Sequence, residues 1–194
     1  MMNKLARSSI LIIAILFGGA SFDTVLYEAL PESRLWIDGT SSVGSYQCIS
    51  DRVVGLGQLE ENNRGFVRVN VAVPVRSFNC GPRQMNADFT DALKADAHPA
   101  ISFSLLHADW PSGAFSDGAW VSISATGELE LAGEARRIAI TVQGQRLANG
   151  QVRVRGSHRL RMTDFGIEPP SRLLGLVRSH DEIVVRFDLH AAPR

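Results

Sequence analysis

Only two cysteines occur in the 194-residue chain, Cys48 and Cys80, and no Cys-x-x-Cys pair exists. That excludes a thioredoxin-type redox motif and the usual paired-cysteine zinc spacing. His-x-x-x-His is missing as well, as are Gly-x-Ser-x-Gly and a phosphate-binding loop, so no motif-bearing metalloprotease, α/β-hydrolase or nucleotide-hydrolase site is present. Charge is balanced at 20 basic and 20 acidic residues, which gives no electrostatic basis for binding nucleic acid or an anionic membrane surface. Repeats and low-complexity tracts are absent. Asp164-Phe165-Gly166 stands without the Gly-rich loop and His-Arg-Asp motif that a kinase requires, so it is not a kinase signature.

The N-terminal end reads as an export signal. Lys4 and Arg7 precede an uncharged apolar run from Ser8 to Phe17, and Gly18-Gly19-Ala20 supplies small residues for cleavage. The run falls short of the ~20 residues a spanning helix needs, so residues 1–20 are expected to be removed and to leave no stable membrane anchor, an uncleaved N-terminal anchor being the alternative reading. Residues 21–33 lack a clear period and are read as an N-terminal arm; residues 34–194 would form the domain. In an oxidising compartment, Cys48 and Cys80 are expected to form a structural disulfide.

The dominant pattern is alternation with a period of two. Val69, Val71 and Val73 face one way in "FVRVNVAVPV", continuing a phase set by Val67 and kept by Val75. Ile123, Ala125 and Gly127 do so in "WVSISATGELEL", Ile140 in "RIAITV", Val154, Gly156, His158 and Leu160 in "QVRVRGSHRLRM", and Val185 and Phe187 in "EIVVRFDL". Such alternation marks antiparallel strands with one dry face. Turns are expected at Glu61–Gly65, Leu131–Glu134 and Ala148–Gly150. Within residues 82–99, Met85, Phe89 and Leu93 recur at steps of four, which predicts one short helix after Pro82 and before Pro99. About eight strands with one short inserted helix indicate an all-β chain, an antiparallel up-and-down β-barrel.

Arg153, Arg155, Arg159 and Arg161 occupy the polar face opposite the valines, where cross-strand pairing with Glu128, Glu130, Glu182 or Asp188 is expected. His158 lies on the inward face, as a core residue or a ligand contact. The small inward residues Ala125, Gly127 and Gly156 are expected to leave an apolar cavity, with strand bends as the other reading of the glycines. "PPSRLLGLV" carries Leu173 and Leu174 without alternation and is expected to cover one barrel mouth.

Several segments together resemble the YceI-like family. They are "MNADFTDALKADAHPAISF", "ATGELELAGEARRIAITV", "LRMTDFGI" and "SHDEIVVRFDL", spread over residues 66–190. Met162, "SFNCGPRQ" and "SYQC" depart from the family's common pattern. The resemblance implies an exported, lipocalin-like barrel that binds a polyisoprenoid or other long-chain amphiphile and catalyses nothing. It makes Asp164–Ile167 a structural turn, with Phe165 folding back on the barrel mouth. The binding residues would then be the inward residues named for each strand, with Phe103 from the Ile-x-Phe strand, Phe165, Leu173 and Leu174. No cofactor or metal is expected beyond the bound lipid, and no nucleic acid partner. A barrel with a filled core that acts as a protein-interaction module is the alternative, and an unrecognised hydrolase a third reading.

The export and disulfide expectations share one test. Intact mass of protein from the exporting host should start near Ser21 and gain two hydrogens on reduction. Two alkylatable thiols in unreduced protein would disprove the disulfide.

Overall fold

Alternating strands leave one apolar face each, and here those faces close around a common interior. The computed structural model describes residues 24–60, 65–109, 118–172 and 176–194. In chain order the strands are β1 (Thr24–Ala29), β2 (Arg34–Ser41), β3 (Gly44–Ser50), β4 (Val54–Glu60) and β5 (Gly65–Pro74). A 3-10 turn (Val75–Ser77) and helix α1 (Arg83–Ala92) precede β6 (Ala100–Asp109), β7 (Val121–Leu131), β8 (Glu134–Arg146) and β9 (Val152–Arg161). A second 3-10 turn (Met162–Phe165), the two-residue β10 (Ser171–Arg172) and the long β11 (Val177–Pro193) complete the described elements.

Neighbours around the sheet run β1-β4-β5-β6-β7-β8-β9-β11, and β11 pairs back onto β1, closing an antiparallel barrel of eight strands. The meander from β4 to β9 is up-and-down, as the hairpin spacing predicts. At the β7–β8 turn Ala132 and Gly133 both take positive φ, 53° and 87°, the geometry of a two-residue hairpin whose twist matches its strands. The turn expected at Glu61–Gly65 lies mostly outside the described residues, as do residues 1–20.

The expected arm contains a strand. Thr24–Ala29 is β1, and Tyr27 on its inward face is 1% exposed. With only six residues and Val25, Tyr27 and Ala29 as its inward apolar side chains, its period is too brief to stand out in sequence. β11 makes the closure. One edge pairs β9 from Glu182 to Ala191, while the other pairs β2 up to Asp188 and then β1 from Ala191. The chain turns from β1 to β2 through Leu30–Ser33, held by Leu30 N–H to His190 O at 2.7 Å. Ser33 is fully buried; its hydroxyl donates to His190 O and accepts from His190 N–H, so its polar atom is satisfied.

Two packed clusters occupy opposite ends of the strands. One contains Ile37, Cys48, Val73, Leu131, Leu160 and Ile183, with Met85, Phe89 and Ala92 of α1 packed against it. The other is smaller: Tyr27, Leu59 and Val152. The helical face predicted at Met85, Phe89 and Leu93 is therefore the face that packs. Cys48 and Cys80 are joined, tying β3 to the segment that leads into α1. An isolated bridge between Ile49 and Asn79 runs alongside the disulfide. Cross-linking across 32 residues contributes about 3–4 kcal/mol in the chain-entropy treatment.

The Asp-Phe-Gly segment is a structural turn. Gly166 sits at φ 63°, in the left-handed region that a glycine adopts without cost. Thr163 clasps Asp181: its N–H and its hydroxyl donate to the two carboxylate oxygens at 2.9 and 2.7 Å. The Thr163 hydroxyl, more than any other group, holds the Asp181 carboxyl below the ordinary carboxylate range. Phe165, Met162 and Ile167 enter the larger core cluster, with Phe165 only 2% exposed. Asp164 points to solvent.

On the outer face the arginine stripe is paired across strands, in part as expected. Arg153 binds Asp188 through two nitrogens, and Arg159 reaches Glu182 at 2.9 Å. Arg155 instead stacks over Trp120, 4.0 Å from the ring centre. Glu128 and Glu130 lie on β7, two strands from the stripe, and do not pair with it.

Phe165→Ala should lower unfolding free energy by about 3–5 kcal/mol, the ordinary loss for a buried phenylalanine. Asp164→Ala should change it by less than about 0.5 kcal/mol, as for an exposed surface residue. Urea unfolding of both variants checks the contrast; equal losses would refute this account of the turn.

Candidate functional site

The barrel is not filled. Between the two packed clusters lies a cavity of about 550 Å³. Its wall is built almost wholly from the inward phase of the strands: Val69, Val71 and Val73 of β5, Phe103 of β6, Ile123 and Ala125 of β7, and Ile140 of β8. Val154, His158 and Leu160 of β9 and Val185 and Phe187 of β11 complete the expected set that meets there. The period-two pattern accounts for this convergence, because in a closed barrel each strand turns the same parity inward.

Gly127 and Gly156 behave differently from expectation. Neither leaves free volume. A Cβ at Gly127 would collide with the Phe103 ring, and one at Gly156 would fall 2.8 Å from the Phe187 ring. Gly156 and Phe187 are direct cross-strand partners, and Gly127 pairs with Leu105, two residues from Phe103. The glycines are thus sockets in which phenyl rings lie flat along the wall. Gly39 does the same for the Tyr46 ring, and Gly144 for the end of Ile123. Without those sockets the rings would project into the lumen. Phe165 is likewise displaced from the expected site, because it packs in the core cluster and does not line the cavity. Leu173 and Leu174 lie outside the described residues; their neighbours Pro170 and Val177 line the cavity.

Several lining residues were not anticipated. Met85 and Phe89 of α1 form part of the wall, as do Leu35 and Ile37 of β2 and Tyr46 of β3. "RLWIDGTS" does carry the signal, since Leu35 and Ile37 alternate with Trp36 and Asp38. No sequence feature announces that α1 faces the lumen. The cavity meets solvent where the exposed residues Val43, Pro82 and Gln84 line it.

Polar groups on the wall are few. Burial pushes the Tyr46 phenol above its usual range, against the opposing effect of a hydrogen bond with Ser179. Burial pushes the His158 imidazole below its ordinary value, so at neutral pH it is uncharged. Asp88, hydrogen-bonded by Gln84 at 3.2 Å, is the acidic side chain on the wall, and no lysine or arginine lines it among the described residues. Nor do those residues contain a group of three or more His, Cys, Asp or Glu side chains placed to hold a metal ion. An apolar enclosure with isolated hydrogen-bonding groups suits a long hydrocarbon chain and offers little to a charged solute.

Comparison with known proteins places this architecture. A polyisoprenoid binding domain from Saccharophagus degradans matches with a TM-score of 0.70 at 14% identity, over 88% of this chain and 99% of that one. BcnA from Burkholderia cenocepacia matches with a TM-score of 0.65 at 16% identity, over 82% of this chain and 96% of that one. The YCEI protein of Campylobacter jejuni gives a TM-score of 0.55 at 12% identity, over 100% and 99% of the two chains. At such identities the likeness is one of fold. No curated protein matches the chain. The family model for the YceI-like domain matches residues 40–191, from the end of β2 almost to the end of β11, and the chain therefore belongs to the YceI-like domain family.

Proposed function

We propose that this protein is an exported binding protein that holds a polyisoprenoid or another long-chain amphiphile inside the barrel. The observation that carries this reading is the cavity itself, whose wall comes from the apolar phase of nearly every strand. A cavity of about 550 Å³ lies within the range of roughly 300–1,000 Å³ usual for small-molecule sites. Burying a chain of this kind is favourable at roughly 0.8 kcal/mol per methylene, enough to retain an amphiphile without any charged contact. Likeness in fold to the polyisoprenoid binding domain supports the same ligand class.

Export is supported by the charged start, short apolar run and small residues of the N-terminal segment, and by a disulfide suited to an oxidising compartment. We assign the protein no catalytic step. The function proposed is retention of the ligand, and no protein or nucleic acid partner is invoked.

Organic extraction of protein purified from its native host, followed by mass spectrometry, should release a long-chain amphiphile. Ala125→Leu should lower the lipid retained per protein several-fold while circular dichroism stays unchanged, because the added carbons enter the lumen from a residue that lines it. Gly156→Ala should act in the same direction by lifting the Phe187 ring off its socket. The outward change Arg155→Gln should leave retention at the wild-type level. An empty extract from the native host would refute the binding reading. Folded Ala125→Leu protein with full lipid content would refute the position assigned to the chain.

A further inference from the structure

The barrel wall is incompletely zipped at one seam. β8 and β9 pair only from Val142 with Gly156 to Arg146 with Val152. Beyond that point β8 continues from Thr141 back to Glu134 paired with β7 alone, and β9 continues from Ser157 to Arg161 paired with β11 alone. The unzipped stretch of β9 is five residues long, about 17 Å at the usual strand rise. Its far end is stopped by the Met162–Phe165 turn, where Gly166 lies against Glu134. Ile138, Ile140, His158 and Leu160 flank the seam and all line the cavity.

Two consequences follow from the chemistry of such a seam. Facing edges of backbone N–H and C=O groups without ladder partners need water or a ligand to satisfy them, so this is where a polar atom in the cavity meets the lowest desolvation cost. The second concerns His158 itself, whose ring has no hydrogen-bond partner among the described residues and is surrounded by aliphatic wall. A neutral imidazole offers one donor and one acceptor. It can serve a hydroxyl or a carbonyl, whereas an anion would find no lysine or arginine on the wall among the described residues. Of the arginines along the seam, Arg159 and Arg161 of β9 and Arg137 of β8 are on the outward phase, with Arg159 engaged by Glu182, while Arg136 shares the phase of Ile138 and Ile140 but is exposed at the end of β8 and does not line the cavity.

We propose that the polar end of the bound amphiphile is a neutral hydroxyl or carbonyl that hydrogen-bonds His158 at the unzipped β8–β9 seam, with the chain running into the cavity. The proposal rests on the binding reading above and adds to it a place and a chemistry for the head. The ligand then lies with its polar group at the side wall, and its tail is directed among Val69, Val71 and Val73 of β5 and Ile123 of β7.

Farnesol, a fifteen-carbon isoprenoid alcohol, is a suitable probe. 2,6,10-Trimethyldodecane serves as the hydrocarbon without a head, and farnesyl phosphate as the same chain with a charge. In delipidated full-length protein, farnesol should move the ¹⁵N ring resonances of His158, while the hydrocarbon binds and leaves them nearly unmoved. His158→Phe should weaken farnesol about three- to tenfold, the range expected from one lost neutral hydrogen bond, and leave the hydrocarbon's affinity unchanged. His158→Gln, which keeps a donor and an acceptor, should retain most of the farnesol affinity. Farnesyl phosphate should bind more weakly than farnesol. If both neutral probes bind and the His158 resonances respond to neither, or if the phosphate binds most tightly, the head site is wrong and the cavity reading stands. If neither neutral probe binds, the cavity reading fails and this inference fails with it. The resonance measurement uses wild-type protein, so the test survives a variant that does not fold.

Discussion

Closure of the barrel depends on a single strand with two different partners on one edge. β11 runs for 17 residues, long enough for its second edge to pair first with β2 and then with β1. For that to happen the chain must leave β1 and enter β2 without crossing the sheet, and it must do so beside a buried backbone. Ser33 makes this corner tenable: its hydroxyl both donates to and accepts from the backbone of His190. A buried corner without such a partner would leave backbone polar groups unsatisfied, at about 1–3 kcal/mol each. Every other feature of the interior, including the cavity, presupposes this closure.

An enclosed apolar volume is costly to keep open, since collapse would recover packing contacts. Three constraints resist collapse here. The hydrogen-bonded ring fixes the strand positions, the glycine sockets hold Phe103 and Phe187 along the wall, and packed clusters brace the two ends. Large rings and missing side chains are therefore complementary parts of one surface. The phenyl groups supply apolar area to the lumen without taking its volume.

The disulfide has a related role. β3 ends the β2–β3 extension of the sheet, and among the described residues its outer edge pairs only through Ile49 with Asn79. Joining Cys48 to Cys80 fastens the entry of α1 beside that edge, and the Cys80 N–H is held by the Asn86 side chain at 2.7 Å. Met85 and Phe89 are thereby kept against the lumen. The helix completes a wall that the strands leave open.

The sequence by itself determined the class of fold and most of the wall. Alternation at Val69–Val73, Ile123–Ala125, Val154–Leu160 and Val185–Phe187 requires one face to be buried, and parity alone then decides which side chains look inward. The turns at Leu131–Glu134 and Ala148–Gly150 and the steps of four in α1 were equally legible, because they are local. What the tertiary structure alone decided is how side chains from different strands share space. Gly127 and Gly156 read as vacancies until Phe103 and Phe187 are seen to fill them, and Phe165 reads as a mouth residue until the turn is seen to fold into the core. β1 was hidden because six residues give too short a period, and its pairing with β4 and β11 depends on contacts distant in the chain. The unzipped seam at His158 is a property of register between β8 and β9, which the composition of neither strand encodes.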